Sequence, residues 1–214
     1  MMMSARIRLA RACRLLAAAG LLLSAAGCFS SSPAIAKLPA PGSAEPDQFL
    51  FDKGNQAMAA KKWLTAREYF KRLVESYPQS PLRPQGKLGL ADTYLNENSA
   101  ESKVLVANEY REFLTFFPSD SHADYAQYKL AMAHFRQMLN PQRDQTETRE
   151  AIKEFKAFFD RFPTSPLRPE VEPFYRQARD RLSDAGYEIG TFYYRIRNYA
   201  GAIDRFKEVL KDVD

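Results

Sequence analysis

Three segments of this chain share one hydrophobic pattern that closes with a proline. They are AREYFKRLVESYP (66–78), VANEYREFLTFFP (106–118) and AIKEFKAFFDRFP (151–163). Aligned without gaps, each has a small or aliphatic first residue and large apolar residues at offsets 4, 7 and 11. These offsets form one stripe along an α-helix, and the proline prevents a further turn. A fourth segment, AIDRFKEVLKDVD (202–214), fits the first twelve columns but has Asp214 where the others have proline.

Each of these segments follows another helical pattern that has a small residue at the same turn. The closing prolines are 40 and then 45 residues apart, a period typical of stacked helical pairs. Small residues let the two helices of a pair approach closely. The small residues are Gly54, Ala91, Ala131 and Gly190.

The first pair has the design of a tetratricopeptide repeat, with Gly54, Ala66, Phe70 and Pro78 at the four characteristic positions. The pattern predicts an all-α fold, a tetratricopeptide-like solenoid of helical hairpins with about four repeats, within a domain at 47–214. The repeats are expected at about 47–80, 81–120, 121–165 and 166–214.

The pentapeptide Ser-Pro-Leu-Arg-Pro occurs twice, at 80–84 and 165–169, each time after an aromatic residue and a proline. It predicts helix starts in which the serine is the N-cap and the first proline is the first helical residue. The sequence leaves open whether the second proline, Pro84 or Pro169, lies late in the first turn or is itself the first helical residue. The alternative is a Pro-x-x-Pro ligand for an SH3-like groove. We favour the helix start because both copies lie at repeat boundaries.

The first 27 residues have the composition of a secretion signal. Four arginines precede an apolar run at 15–23, which is too short to span a bilayer. The next residues, Ala25-Ala26-Gly27-Cys28, resemble the bacterial lipobox. We predict a signal peptide at 1–27, lipidation at Cys28 and a flexible tether over the rest of 28–46. The alternative is an ordinary signal peptide in which Cys28 has no role.

The charge and the cysteines are interpreted after this signal is set aside. The formal net charge is +5, but four of the positive charges lie in the predicted signal, and no acidic residue precedes Glu45. The mature chain would therefore be nearly neutral, and no nucleic-acid partner is predicted. Because Cys13 lies in the signal, Cys28 would have no partner for an intramolecular disulfide.

No motif for catalysis is found. The sequence lacks a Gly-rich phosphate loop, His-Glu-x-x-His and Gly-x-Ser-x-Gly. Its two histidines, His122 and His134, have no cysteine or acidic residue at ligand spacing. His134 falls in the packing position that Tyr94 and Tyr193 occupy in other pairs. We predict no catalytic residue, no metal and no cofactor, and hence a non-enzymatic function.

A groove lined by the first helix of each pair is the candidate binding surface. Asparagine, tyrosine and arginine can pair with the backbone of an extended or C-terminal peptide, while aromatic residues contact its side chains. The alternative is that these positions are ordinary solvated or partly packed ones. The candidates are Phe51, Asn55, Gln85, Asp92, Asn96, Tyr125, Tyr128 and Arg136.

A long loop, LNPQRDQTETRE (139–150), joins the helices of the third pair. Asp144 followed by Glu147 has the spacing of a capping box that starts the next helix. A long loop in a compact array is often functional. The sequence leaves open whether Arg143, Asp144, Gln145 and Thr146 bind a partner or only cap the helix.

Together, the lipobox, the tether and the degenerate repeats resemble the BamD family, lipoproteins of the outer-membrane β-barrel assembly machinery. The likeness covers about residues 47–212. It is most specific in YPQSPLRPQGKLGLADTY, in RDQTETREAIKEF and in RQARDRLSDAGYEIGTFYYRIRNYAGAIDRF.

The resemblance implies a scaffold that is anchored by its lipid to the periplasmic face of the outer membrane. Repeats 1 to 3 would receive unfolded barrel precursors in the groove. The region around 187–206 would dock to the periplasmic domains of the barrel-forming subunit. Phe29 stands where an inner-membrane retention signal would have aspartate, which agrees with outer-membrane sorting.

Two questions stay open at this point. Family members continue beyond the fourth helical pair, whereas this sequence ends at Asp214, so it is either a truncated form or a shorter variant. The alternative function is that of a periplasmic tetratricopeptide lipoprotein that coordinates cell-wall enzymes.

Overall fold

The structure, a computed structural model, describes residues 46–213. The predicted signal peptide, Cys28 and the tether as far as residue 45 lie outside the described residues. The described part forms eight α-helices and no strand. The helices are α1 (Pro46–Ala59), α2 (Trp63–Ser76), α3 (Arg83–Glu97), α4 (Ala100–Phe116), α5 (Ala123–Phe135), α6 (Thr146–Arg161), α7 (Arg168–Arg195) and α8 (Tyr199–Val213).

Every helix packs against the next one along the chain, so that α1–α2, α3–α4, α5–α6 and α7–α8 form antiparallel hairpins. The first helices of neighbouring hairpins also touch, α1 with α3 and α5 with α7. This arrangement confirms the predicted all-α, tetratricopeptide-like fold. None of the described helices is long and apolar enough to cross a membrane.

The predicted stripe of each second helix forms the core. In α2 the side chains of Ala66, Phe70 and Leu73 are fully buried, and α4 and α6 bury the equivalent residues. Apolar area removed from water stabilises a fold by about 25 cal/mol per Å², so this periodicity supplies much of the driving force. The equivalent core residues are Val106, Tyr110, Phe113, Ala151, Phe155 and Phe158.

The last hairpin is packed less completely than the others. Ala202 is buried at the first position of its stripe, but Phe206 is only half-buried. Ile203 and Leu210 on the same helix are more than half exposed. The apolar surface of α7–α8 is therefore only partly covered by the described residues.

The predicted role of the closing prolines is confirmed. Helices α2, α4 and α6 end one residue before Tyr77, Phe117 and Phe162, and each of these aromatic residues precedes a proline. A residue before proline is disfavoured in the α conformation, and the three aromatic residues accordingly adopt non-helical backbone angles.

The predicted N-caps at Ser80 and Ser165 are wrong. Helix α3 begins at Arg83 and α7 begins at Arg168, with a leucine as the capping residue and the second proline of the pentapeptide in the first turn. The serine lies one turn earlier, where its Oγ accepts a 3.1 Å hydrogen bond from the leucine N–H. The pentapeptide thus forms a short turn that leads into the helix.

Candidate functional site

A carboxylate surrounded by tyrosines lies on the surface formed by the first helices. Asp92 projects from α3 and accepts hydrogen bonds from the hydroxyls of Tyr110 and Tyr125, the latter at 3.1 Å. Burial raises the pKa of Asp92, although the two hydroxyls and the Lys129 ammonium oppose that rise. Burial and the negative charge of Asp92 raise the pKa of both tyrosines, so their hydroxyls stay protonated as donors.

Helix α5 extends this cluster toward α7. The Tyr128 hydroxyl donates a 2.9 Å hydrogen bond to Oε1 of Glu170 in the first turn of α7. Lys129 Nζ lies 4.7 Å from the centre of the Tyr128 ring and 5.1 Å from that of Tyr125, a cation–π distance. Asp92, Tyr125, Tyr128, Lys129 and Glu170, hereafter the tyrosine cluster, therefore join three hairpins.

Arg136 and Asn96 lie at one end of the tyrosine cluster. Arg136 is exposed, and its Nη1 donates to the carbonyl oxygen of Leu95 at 2.9 Å, which links α5 to the end of α3. The Asn96 amide donates to the Asp92 carbonyl one turn earlier at 2.8 Å. Burial and the hydrogen bond to Glu170 raise the pKa of Tyr128, and the nearby positive charge of Arg136 lowers it by a smaller amount.

The other candidates predicted from the groove pattern lie apart from this cluster. Phe51 packs its ring 6.1 Å from that of buried Phe70 and contributes to the core of the first hairpin. Asn55 is exposed, and Gln85 is half-buried in the first turn of α3. No hydrogen bond or ring contact within residues 46–213 connects these three to the tyrosine cluster.

Sequence reasoning missed two members of the tyrosine cluster, Lys129 and Glu170, and the hydrogen bond that the buried core residue Tyr110 donates to Asp92. Lys129 could have been found, because it follows Tyr128 and stands one turn after Tyr125 on the same helix. Tyr110 comes from a second helix, and Glu170 from the turn after the pentapeptide. Both meet the cluster only through packing between helices.

The loop before α6 is held from within by Gln145. The side chain of Gln145 is buried, and its Nε2 donates to the carbonyl oxygens of Asn140 at 2.8 Å and of Arg143 at 3.0 Å. Its Oε1 accepts a 2.8 Å hydrogen bond from the Thr148 hydroxyl. The neighbouring Arg143 and Asp144 are exposed. The loop therefore has a fixed interior and a charged outer face.

The predicted capping box is wrong. Helix α6 begins at Thr146 with Gln145 as its N-cap, and no side chain caps it. Asp144 instead accepts a 3.0 Å hydrogen bond from the Thr146 hydroxyl. Glu147 turns toward His134 in α5, with 2.7 Å between its Oε2 and Nδ1 of the ring. Packing between the helices provides a partner that the local spacing does not reveal.

A cavity of about 570 Å³ opens between this loop and the last hairpin. Arg143, Arg149, Arg205 and Lys211 contribute positive charges to its walls, which outnumber the negative charges of Asp144 and Glu208. Leu182, Ile189 and Val209 contribute apolar surface. The cavity therefore combines apolar contact with positive charge next to the predicted partner loop.

Comparison with known proteins identifies the family. The profile of the YfiO family, described as outer membrane lipoprotein, matches residues 43–214. The chain belongs to the YfiO family. The family resemblance predicted from the sequence is thereby confirmed, and the match spans every helix of the solenoid.

Relatives of this YfiO-family chain share the name outer membrane protein assembly factor BamD. The protein from Caulobacter vibrioides is 26% identical over 168 residues, which are 78% of this chain and 53% of the relative. The one from Rickettsia prowazekii is 25% identical over 161 residues, 75% of this chain and 63% of the relative. The one from Vibrio cholerae is 25% identical over 195 residues, 86% of this chain and 77% of the relative. The chain thus spans about half to three quarters of the length of these relatives.

Proposed function

We propose that this chain is a non-enzymatic scaffold for outer-membrane β-barrel assembly, anchored through Cys28 on the periplasmic face of the outer membrane. Membership of an outer membrane lipoprotein family and relatives named as assembly factors support this proposal. The observation that carries the binding role is the tyrosine cluster, because it joins the first helices of three hairpins into one polar and aromatic surface.

The chemistry of this surface suits the C-terminal segment of an unfolded barrel precursor. Lys129 has no carboxylate within ion-pair distance among the described residues, and Arg136 is bonded there only to a backbone carbonyl. These two cations would receive the terminal carboxylate of the peptide. Half-buried Tyr125 would contact its side chains, and Asn96 would pair with its backbone. Tyr128 is only 3% exposed and would support the site from beneath through its hydrogen bond to Glu170.

A second surface would dock the periplasmic domains of the barrel-forming subunit. It consists of the loop Arg143–Thr146, the adjoining cavity and the region around 187–206. Tyr187, Phe192 and Tyr194 are each more than half exposed there. A cluster of exposed aromatic side chains is typical of an interaction surface. The Arg143 and Arg149 charges would add contacts to acidic residues of the partner.

The peptide site is tested with a fluorescent peptide that has the C-terminal sequence of a barrel protein. We expect Lys129→Ala with Arg136→Ala to weaken its binding at least tenfold, because both partners of the carboxylate are lost. Lys71→Ala is the matched control, since Lys71 is an exposed lysine on α2. Equal affinity of the folded double variant and the wild type would remove this surface from the proposal.

The assembly role is tested separately by capturing the acylated protein from outer membranes. Recovery of a barrel-forming assembly subunit supports the proposal, and Arg143→Ala with Tyr194→Ala should reduce that recovery. Recovery of cell-wall enzymes alone would support the alternative scaffold function and overturn this one.

A further inference from the structure

His134 is a buried histidine whose orientation is fixed from both sides. Its Nδ1 lies 2.7 Å from Oε2 of Glu147, and its Nε2 lies 3.0 Å from Nη2 of Arg111. A guanidinium group can only donate, so Nε2 accepts, and the neutral ring donates through Nδ1 to Glu147. The ring therefore directs a lone pair away from Glu147 into the space between α4 and α6.

Two carboxylates of α6 meet the ring in that space. Glu150 and Glu154 are one turn apart, so they share a face of the helix. One oxygen of each and one ring nitrogen of His134 all lie within 4.8 Å of one another. Because Nδ1 is engaged by Glu147, a ligand would bind Nε2 in place of the Arg111 guanidinium. Glu150 and Glu154 lie 16 and 20 residues from His134 in the sequence, which is why spacing along the chain gave no sign of the group.

The group has more negative than positive charge in its interior. The Glu154 side chain is only 12% exposed, and the cation paired with it, Arg111, stands 4.0 Å away. Its Oε2 accepts a 2.8 Å hydrogen bond from Gln127, which orients the carboxylate without neutralising it. Glu150 is paired at 3.0 Å with Lys153, whose side chain is 67% exposed. The three carboxylates of Glu147, Glu150 and Glu154 thus surround His134, whereas the paired cations Arg111 and Lys153 are 43% and 67% exposed.

We propose that His134, Glu150 and Glu154 bind a divalent transition metal, for which zinc is the best match. Imidazole nitrogen and carboxylate oxygen are ordinary zinc ligands, and a site with three protein ligands is completed by water. Glu147 then has the usual role of the carboxylate that holds the other ring nitrogen of a ligating histidine. The site joins α5 to α6 across the base of the long loop.

Arg111 would compete with the metal ion for this site. Its guanidinium fills the position of a cation between Nε2 and Glu154, and its side chain is 43% exposed. It can therefore turn to solvent when the metal enters. Tetrahedral zinc ligands lie about 3.3 Å apart, so the three side chains must also close by at most about 1.5 Å, which rotation about side-chain bonds provides.

The proposal is tested by titrating zinc chloride into the purified full chain and measuring heat. We expect one equivalent of zinc to bind, and His134→Gln, Glu150→Gln and Glu154→Gln each to weaken binding at least tenfold. Glu147→Gln should weaken it by about 10- to 100-fold, the usual effect of such a carboxylate. Arg111→Ala should bind zinc more tightly than the wild type, an effect that a purely structural histidine would not produce.

Matched controls make the result specific. His122→Gln changes the other histidine, which is exposed, and should leave binding unchanged. Cys13 and Cys28 remain in every variant, so zinc held by thiols stays the same throughout. Glu150 is half-buried, so Glu150→Gln tests the site even if His134→Gln unfolds.

Magnesium should not compete, because it prefers an all-oxygen shell. Unchanged zinc binding in folded Glu150→Gln and Glu154→Gln, or no binding to either the wild type or Arg111→Ala, would overturn the proposal.

Discussion

The Ser165 hydroxyl donates a 2.6 Å hydrogen bond to Oδ2 of Asp124, in the first turn of α5. Ser80 makes the same bond to Asp47 in the first turn of α1. Each serine therefore ties the turn before one hairpin to the start of the preceding hairpin. The repeated pentapeptide is a joint between repeats, and its serine is the residue that makes the connection.

We expect Ser165→Ala and Ser80→Ala each to lower the free energy of unfolding by about 1–2 kcal/mol, because each loses an accepted and a donated hydrogen bond. The two sites lie 85 residues apart and share no partner, so their effects should add. Urea denaturation measures all three variants. Ser119→Ala, an exposed serine in the equivalent turn after α4, is the control and should have no effect. If the double variant loses no more free energy of unfolding than one single variant, the two serine–aspartate bonds do not act independently.

The equivalent turn before α5 shows how the joint varies. Asp120 occupies the position of the serine, and its Oδ1 accepts a 2.8 Å hydrogen bond from the N–H of His122. The backbone is thus stabilised in the same way by a carboxylate. Sequence comparison of the repeats could predict this turn from Pro118, but not the serine–aspartate bond of the other two joints. That bond depends on how one hairpin stacks on the next.

The buried charge of Asp92 gives a pH-dependent prediction. Its folded-state pKa is raised above the ordinary value of 3.8, mainly by burial. A group with a raised folded-state pKa stabilises the fold below its unfolded pKa, and that stability is lost as the pH rises through the folded pKa. The charge of Asp92 therefore costs stability at pH 7.

We expect Asp92→Asn to be more stable than the wild type at pH 7, by about 1.4 kcal/mol for each unit by which the pKa is raised. The difference should shrink as the pH falls through the raised folded-state pKa and be lost below the ordinary value of 3.8, where Asp92 is protonated in both the folded and the unfolded state. Urea denaturation at a series of pH values measures it. Asp160→Asn, an exposed position on α6, should show no such trend. If Asp92→Asn is instead less stable than the wild type at pH 7, the hydrogen bonds from Tyr110 and Tyr125 to the carboxylate outweigh the cost of burying its charge.

Two small residues of the repeat pattern, Gly54 and Gly190, each face a phenylalanine ring, but the two rings differ in burial. A Cβ added to Gly54 would lie 2.5 Å from Cε1 of Phe70, and one added to Gly190 would lie 2.5 Å from Cε1 of Phe206. Phe70 is fully buried, whereas Phe206 is half-buried and has room to move.

We expect Gly54→Ala to destabilise the fold by about 1–3 kcal/mol through overpacking. Gly190→Ala should cost less, because Phe206 can turn away and alanine favours the helix by about 1 kcal/mol over glycine. Thermal unfolding compares the two. Gly201→Ala, whose Cβ would lie 3.0 Å from Nδ2 of the exposed Asn198, is the control. Equal losses at Gly54 and Gly190 would mean that the last hairpin is packed as tightly as the first.

Much of this fold follows from the sequence because a helical stripe such as Ala66, Phe70 and Leu73 is set by residues within three turns. The candidate site follows only in part. Tyr125 and Tyr128 share a helix face and could be predicted to lie together. The partners of Glu147, Glu154 and Tyr110 could not, because each comes from a neighbouring helix whose crossing angle and height are set by packing.

The interior of the loop before α6 gives a last prediction, centred on Gln145. Its three hydrogen bonds reach Asn140, Arg143 and the buried Thr148 hydroxyl. Gln145→Ala leaves that hydroxyl without this acceptor, so we expect a loss of about 1–3 kcal/mol in the free energy of unfolding. Amide hydrogen exchange across 139–145 should also accelerate, because the loop loses the bonds that fix its backbone. Gln142→Ala, an exposed neighbour, should alter neither quantity. If the loop docks a partner through Arg143, Gln145→Ala should weaken that docking without any change in the charge of the surface. Faster exchange with full docking would instead assign the contact to the cavity wall and the last hairpin.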